Sequence, residues 1–267
     1  MNRIHYLFLL CGFSTSFSLC EASVHSDKLD SVQAQIKSID QDSNLRIEVA
    51  WHHEGDGDFR YIVYRKADEI VKLTWSLFVG PEELHQTIYF PKRETPLHVF
   101  KQAIIHYDDG SHEISQDATY YDENKLLHAQ ARTFMYEGSI PDQAPSVEWE
   151  HYPEEVGDPQ SEEDRAYIRQ ALRQVSAIDL VPAKKYTGQY VYAYDTESFK
   201  ECGTDRRFQV ENKLLREAYT QLKLEVFAPA RIEIVATMEM QEDMAGEMVE
   251  TLKLYEVLSM QADQECQ

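Results

Sequence analysis

The sequence predicts a mainly β protein: an N-terminal antiparallel meander or sandwich, one connecting helix, and a small C-terminal barrel of OB type. Three observations carry this expectation. Apolar and polar residues alternate over most of the chain, the period of a half-buried strand. Turn clusters recur at short intervals between β-rich runs, too close together for the helical crossovers that parallel pairing needs. Helical spacing is confined to two segments, one before the last third and one inside it.

The N-terminal β unit is expected over residues 23–140. Its first strand reads from Val32, Ala34 and Ile36, and its second from Leu45, Ile47, Val49 and Trp51 with Arg46 and Glu48 between them. Asp40-Gln41-Asp42-Ser43-Asn44 separates the two as a turn cluster. Glu54-Gly55-Asp56-Gly57-Asp58 punctuates next, and Phe59 to Arg65 resumes a strand. Further strands are read at 69–79, 84–91, 97–107, 112–121 and 126–136. Gly80-Pro81, Pro91 to Pro96, Asp108-Asp109-Gly110-Ser111 and Asp122-Glu123-Asn124-Lys125 separate them.

Residues 141–185 form an acidic, proline-containing linker and a helix. Pro141, Pro145, Pro153 and Pro159 mark the linker. Ser161 is read as the helix cap, with Glu162, Glu163 and Asp164 at the positive end of the dipole. Ile168, Ala171, Leu172 and Val175 make one apolar stripe, which should dock on a sheet. Residues 186–267 form the second β unit. Tyr190, Tyr192 and Tyr194 alternate, as do Phe208 and Val210, and Leu214 to Leu222 has helical spacing. Ile232, Ile234 and Val235 continue the strands, and Leu252 to Leu258 closes them. About five strands with one short inserted helix fit a small OB-like barrel.

Residues 1–22 read as a signal peptide. Arg3 is the one Lys or Arg before Lys28, an apolar stretch runs from Ile4 to Leu19, and Cys20-Glu21-Ala22 supplies the small residues of a cleavage site. Cleavage after Ala22 gives a periplasmic or secreted protein. The alternative is a lipid anchor on Cys20, although the preceding Leu19 is larger than the residue usual there. No later run is long and apolar enough to span a membrane. The mature chain keeps two cysteines, Cys202 and Cys266. In an oxidising compartment they are expected to pair, with two free thiols as the alternative.

Lys and Arg number 26 against 47 Asp and Glu, a formal charge of -21, so nucleic acid is excluded as a partner: duplex binding rests on neutralising phosphates. No Gly-x-Ser-x-Gly, Ser-x-x-Lys, His-Glu-x-x-His or glycine-rich phosphate loop is present, so no catalytic residue and no cofactor is assigned. Two histidine clusters stand out: His52, His53, Asp56 and Asp58, then His106, Asp108, Asp109, His112 and Glu113. Each suits a solvated turn as well as a metal ion. Two strands flanking the second turn can bring both of its histidines together. Met238, Met240, Met244 and Met248 are the more distinctive set. Thioether sulfur is a soft ligand suited to Cu(I), and the competing role is the lining of a strand face and hairpin tip.

A resemblance enters with the last third. Tyr186-Thr187-Gly188-Gln189-Tyr190-Val191-Tyr192, Glu197-Ser198-Phe199-Lys200-Glu201-Cys202-Gly203 and the closing run Leu252 to Met260 resemble the barrel domain of NlpE-type bacterial envelope lipoproteins and their unnamed relatives. The resemblance implies an envelope location and a role in surface or stress sensing, with no catalytic residues to carry over. The Cys-x-x-Cys of the NlpE-type N-terminal domain is absent, which leaves that family's metal sensing without a counterpart here. The expected function is thus non-catalytic: interaction with an envelope protein or cell-surface component, or sensing. The alternative is periplasmic copper binding through the Met tract.

Overall fold

A β-rich chain must pair its strand edges and bury one face of its sheet, and here both are achieved with a single continuous sheet. The computed structural model describes residues 15–92, 95–122, 125–137, 147–152, 159–193, 196–210, 212–224, 227–242, 246–262 and 266. Helix α1 (Thr15–Gln41) is followed by the strands β1 (Arg46–Glu54), β2 (Gly57–Lys66), β3 (Glu69–Val79), β4 (Glu82–Tyr89), β5 (His98–His106), β6 (Ser111–Asp122), β7 (Lys125–Glu137) and β8 (Glu150–Tyr152). Helix α2 (Pro159–Ala177) leads into β9 (Val181–Ala193), β10 (Thr196–Glu201), β11 (Arg207–Phe208), α3 (Lys213–Gln221), β12 (Ala230–Glu242) and β13 (Met248–Ala262).

The strands join in one 13-stranded sheet. From β1 to β8 each strand pairs antiparallel with the next, so the N-terminal unit is a meander. β9 then returns to pair with β1 through Ile47↔Ala183, Glu48↔Pro182 and Val49↔Val181, and passes on to pair with β10 and β12. β9 is therefore the seam between the two β units. It begins at Val181, ahead of the 186 boundary read from the sequence.

The stretch Val32, Ala34, Ile36 is not a strand. It lies within α1, and this corrects the sequence reading. The period of two was coincidental. Leu29, Val32, Ile36 and Ile39 have helical spacing, and they pack on Tyr89, Leu97, Tyr120 and Leu127 at one end of the sheet. Polar ties fix the helix there: Lys72 Nζ reaches Asp40 at 2.8 Å, and the Tyr89 hydroxyl donates to the same carboxylate at 3.0 Å.

The opposite face of the meander is covered by α2. Ile168, Ala171 and Val175, with Leu172 beside them, pack on Tyr61, Val63, Leu73, Ile88, Val99 and Tyr121. The helix starts at Pro159, so Ser161 lies in its first turn and is not its cap. Proline suits that first position because its missing N–H would have no partner within the helix.

The C-terminal unit has its own core around Tyr190, Phe199, Phe208, Leu215, Ile232, Ile234 and Leu252. Five strands with α3 inserted between β11 and β12 match the expected barrel. Gly188 is needed in β9 because strands flank it on both sides: a Cβ there would lie 2.3 Å from the Phe199 ring and 2.4 Å from the Lys200 carbonyl oxygen. A third apolar cluster joins the units, with Ile47, Val49, Ile62 and Tyr64 against Val235 and Tyr255. Among the described residues no helix is long and apolar enough to cross a membrane.

Candidate functional site

One face of the meander carries a polar row. Cross-strand partners share a face, so the register aligns Arg60, Ser76, His85, Gln102, Gln116 and Arg132 across β2 to β7. The row bonds in two groups. Arg132 Nε donates to Gln116 Oε1 at 2.7 Å, and Gln116 Nε2 donates to Gln102 Oε1 at 2.5 Å. At the other end Arg60 Nη2 donates to Ser76 Oγ at 3.2 Å, and Ser76 Oγ lies 2.8 Å from His85 Nδ1.

From His85 the network turns towards the ends of β5 and β6. His85 Nε2 is 3.2 Å from Glu83 Oε2, His106 Nε2 is 3.0 Å from Glu83 Oε1, and His106 Nδ1 is 2.9 Å from His112 Nδ1. The proton positions follow from partner chemistry. Ser76 Oγ accepts from Arg60, so its hydroxyl proton is available to His85 Nδ1, and His85 then carries its own proton on Nε2 towards Glu83. A carboxylate accepts only, so His106 also carries a proton on the Nε2 that faces it. In the neutral imidazole this leaves the lone pair of His106 Nδ1 aimed at His112. The hydrogen bond from His85, opposed by partial burial, holds Glu83 below the usual carboxylate range. Arg60 is buried against the Phe78 ring at 5.3 Å, and burial lowers its pKa.

The two histidine clusters therefore fare differently. His106 and His112 are direct Cα partners and meet, as the turn between them suggested. Two acids of that cluster are engaged elsewhere: Asp109 accepts from Ser111 at 2.6 Å, and Glu113 accepts from the Tyr107 hydroxyl at 2.9 Å. His52 and His53 stay on their own exposed hairpin, where His53 Nδ1 lies 2.9 Å from Asp58. Strands β2, β3 and β4 separate β1 from β5, so the clusters do not combine. Glu83 and His85 escaped sequence reading because they lie in an unremarkable strand one hairpin away. The available signal was their spacing of two, which puts both on one face of β4.

Met238, Met240 and Met248 share one face of the β12–β13 hairpin, given the partners Met240↔Glu250 and Glu242↔Met248. Each is about half exposed, at 45%, 52% and 59%. Met244 lies outside the described residues. Arg206 Nη2 approaches the Met238 sulfur at 3.1 Å while pairing with Glu250, also at 3.1 Å. Among the described residues no group of three or more His, Cys, Asp or Glu converges to hold a metal ion.

Cys202 and Cys266 are bonded, with Cα atoms 5.1 Å apart and a sequence separation of 64. The bridge ties the turn after β10 to the segment beyond β13. It closes the barrel where Cys202 N–H already donates to Thr187 O at 2.8 Å.

No curated protein matches the chain. Among solved structures it is similar to the crystal structure of the Cpx pathway activator NlpE from Escherichia coli, at 12% identity and a TM-score of 0.27, over 83% of this chain and 97% of that one. Residues 180–267 match the family described as the NlpE C-terminal OB domain, so the last third of this chain carries an NlpE-like OB domain.

Proposed function

We propose that this is an exported envelope protein that acts by interaction or sensing, without catalysis. The observation that carries the reading is the match of residues 180–267 to the NlpE C-terminal OB domain. The Cys202–Cys266 bond supports it, since such bonds persist in oxidising compartments. Fractionating bacteria that produce the full chain tests the location. The reading expects the protein in the periplasmic or membrane fraction, and retention in the cytosol overturns it. A membrane-bound form released by Cys20→Ala identifies a lipid anchor. The finer role is surface or stress sensing, as the NlpE-like OB domain suggests. On that role, overproducing the chain raises an envelope-stress reporter. An unchanged reporter removes it.

The exposed face of Met238, Met240 and Met248 favours a second reading, binding of a soft monovalent ion such as Cu(I). Arg206 would have to leave the Met238 sulfur first. Silver or Cu(I) then binds the wild-type chain and not the Met238→Ala/Met240→Ala variant. Equal binding by both eliminates the reading.

A further inference from the structure

We propose that His106 and His112 form an open chelating site for a divalent late transition-metal ion, a site independent of the barrel and of the function proposed above. The two Nδ1 atoms face one another at 2.9 Å with the rings at 82°. An ion about 2.0–2.1 Å from each nitrogen would subtend an angle of about 90° at that separation. That is the cis angle of octahedral coordination, whose remaining positions water can fill, and a nitrogen pair in that arrangement suits ions of the Ni(II) kind.

The His106 tautomer favours chelation. Glu83 Oε1 holds the His106 proton on Nε2 at 3.0 Å, which leaves Nδ1 free to ligate. A carboxylate behind a ligating imidazole orients the ring and raises its basicity. His112 needs only to move its proton from Nδ1 to Nε2, which costs no net proton. The backbone supplies the rest of the preorganisation. His106 ends β5, His112 lies at the start of β6, and the two are register partners across the Tyr107–Ser111 turn. Both are partly exposed, with the His106 side chain at 32%, so an ion and its waters can enter. Two protein ligands leave positions for water, consistent with no third His, Cys, Asp or Glu converging among the described residues. The formal charge of -21 draws cations towards the chain.

The test is calorimetric titration of the full chain with Ni2+. One saturable equivalent is expected, and its affinity falls at least tenfold in His106→Ala and in His112→Ala. Glu83→Ala weakens it by about 10–100-fold, because the orienting carboxylate is gone. The His52→Ala/His53→Ala and Met238→Ala/Met240→Ala variants bind as the wild type does. Paramagnetic broadening by Ni2+ gives a readout that needs no variant: the imidazole signals of His106 and His112 broaden first. Absence of saturable uptake, uptake unchanged in His106→Ala, or broadening that spares both rings overturns the proposal.

Discussion

Replacing both bridging cysteines, as Cys202→Ser/Cys266→Ser, removes a cross-link that works mainly on the unfolded chain. In the folded barrel β13 is already zipped to β12 along its length, so the native state gains little order from the bond. In the unfolded state the bridge spans 64 residues, and the loop-closure relation for a span of that size gives about 4 kcal/mol. With a urea slope of about 2–3 kcal/mol/M, the midpoint should fall by about 1.3–2 M. The assay is urea unfolding of the wild-type and double-serine chains, followed by far-UV circular dichroism, with the wild type repeated under reducing conditions. Reduced wild type and double variant should coincide. A midpoint shift under about 0.3 M would refute the reasoning, since it would mean that the bond is absent or does not restrain the unfolded chain.

Gly188→Ala places a methyl group inside the Phe199 ring and the Lys200 carbonyl, with strands on both sides blocking retreat. A loss of at least about 2–3 kcal/mol is expected in thermal or urea unfolding of the barrel, and a neutral outcome contradicts the packing described. Val32→Ala removes two buried methyl groups where α1 meets Tyr89 and Leu97. It should cost about 2 kcal/mol and speed amide exchange in α1 before it affects the barrel. His98 is buried beside Tyr120 at 4.3 Å with Nδ1 donating to Thr119 O at 2.8 Å, and burial pushes its pKa down to about 4. The unfolded chain then binds a proton below about pH 6.5 that the folded chain refuses until about pH 4. This contribution to stability is complete above pH 6.5 and is lost as pH falls through that window. It totals about 3 kcal/mol, and His98→Leu should remove it from a Tm-against-pH profile.

Most strand boundaries were legible because turn chemistry is local. Gly80-Pro81 and Asp108-Asp109-Gly110-Ser111 fall between β3 and β4 and at the β5–β6 turn. The α2 stripe was legible for the same reason: its contacts recur at helical spacing within one segment. α1 was misread because Val32, Ala34 and Ile36 satisfy a period of two. The decisive partners are Leu29 and Ile39 on either side and the side chains of Tyr89, Leu97, Tyr120 and Leu127 far along the chain. The β1–β9 seam was not legible, since Val181-Pro182-Ala183 has no local mark that names Ile47 to Val49 as its partner. At the histidine network the same division holds. His106 and His112 flank one turn and could be paired on paper. Glu83 and His85 join them only through the register of β4 with β5, which depends on the whole meander. The Cys202–Cys266 bond could be read by counting, because the sequence has no other cysteine after residue 22.

The proposed function requires export followed by oxidation of Cys202 and Cys266. Intact-mass spectrometry of the protein purified from cells, with and without a thiol-alkylating reagent, tests this directly. A chain beginning at Ser23, or at an acylated Cys20, that takes up alkylating reagent at neither Cys202 nor Cys266 until reduced is the result expected. A full-length chain that retains Met1 and is alkylated at both positions without reduction would contradict it.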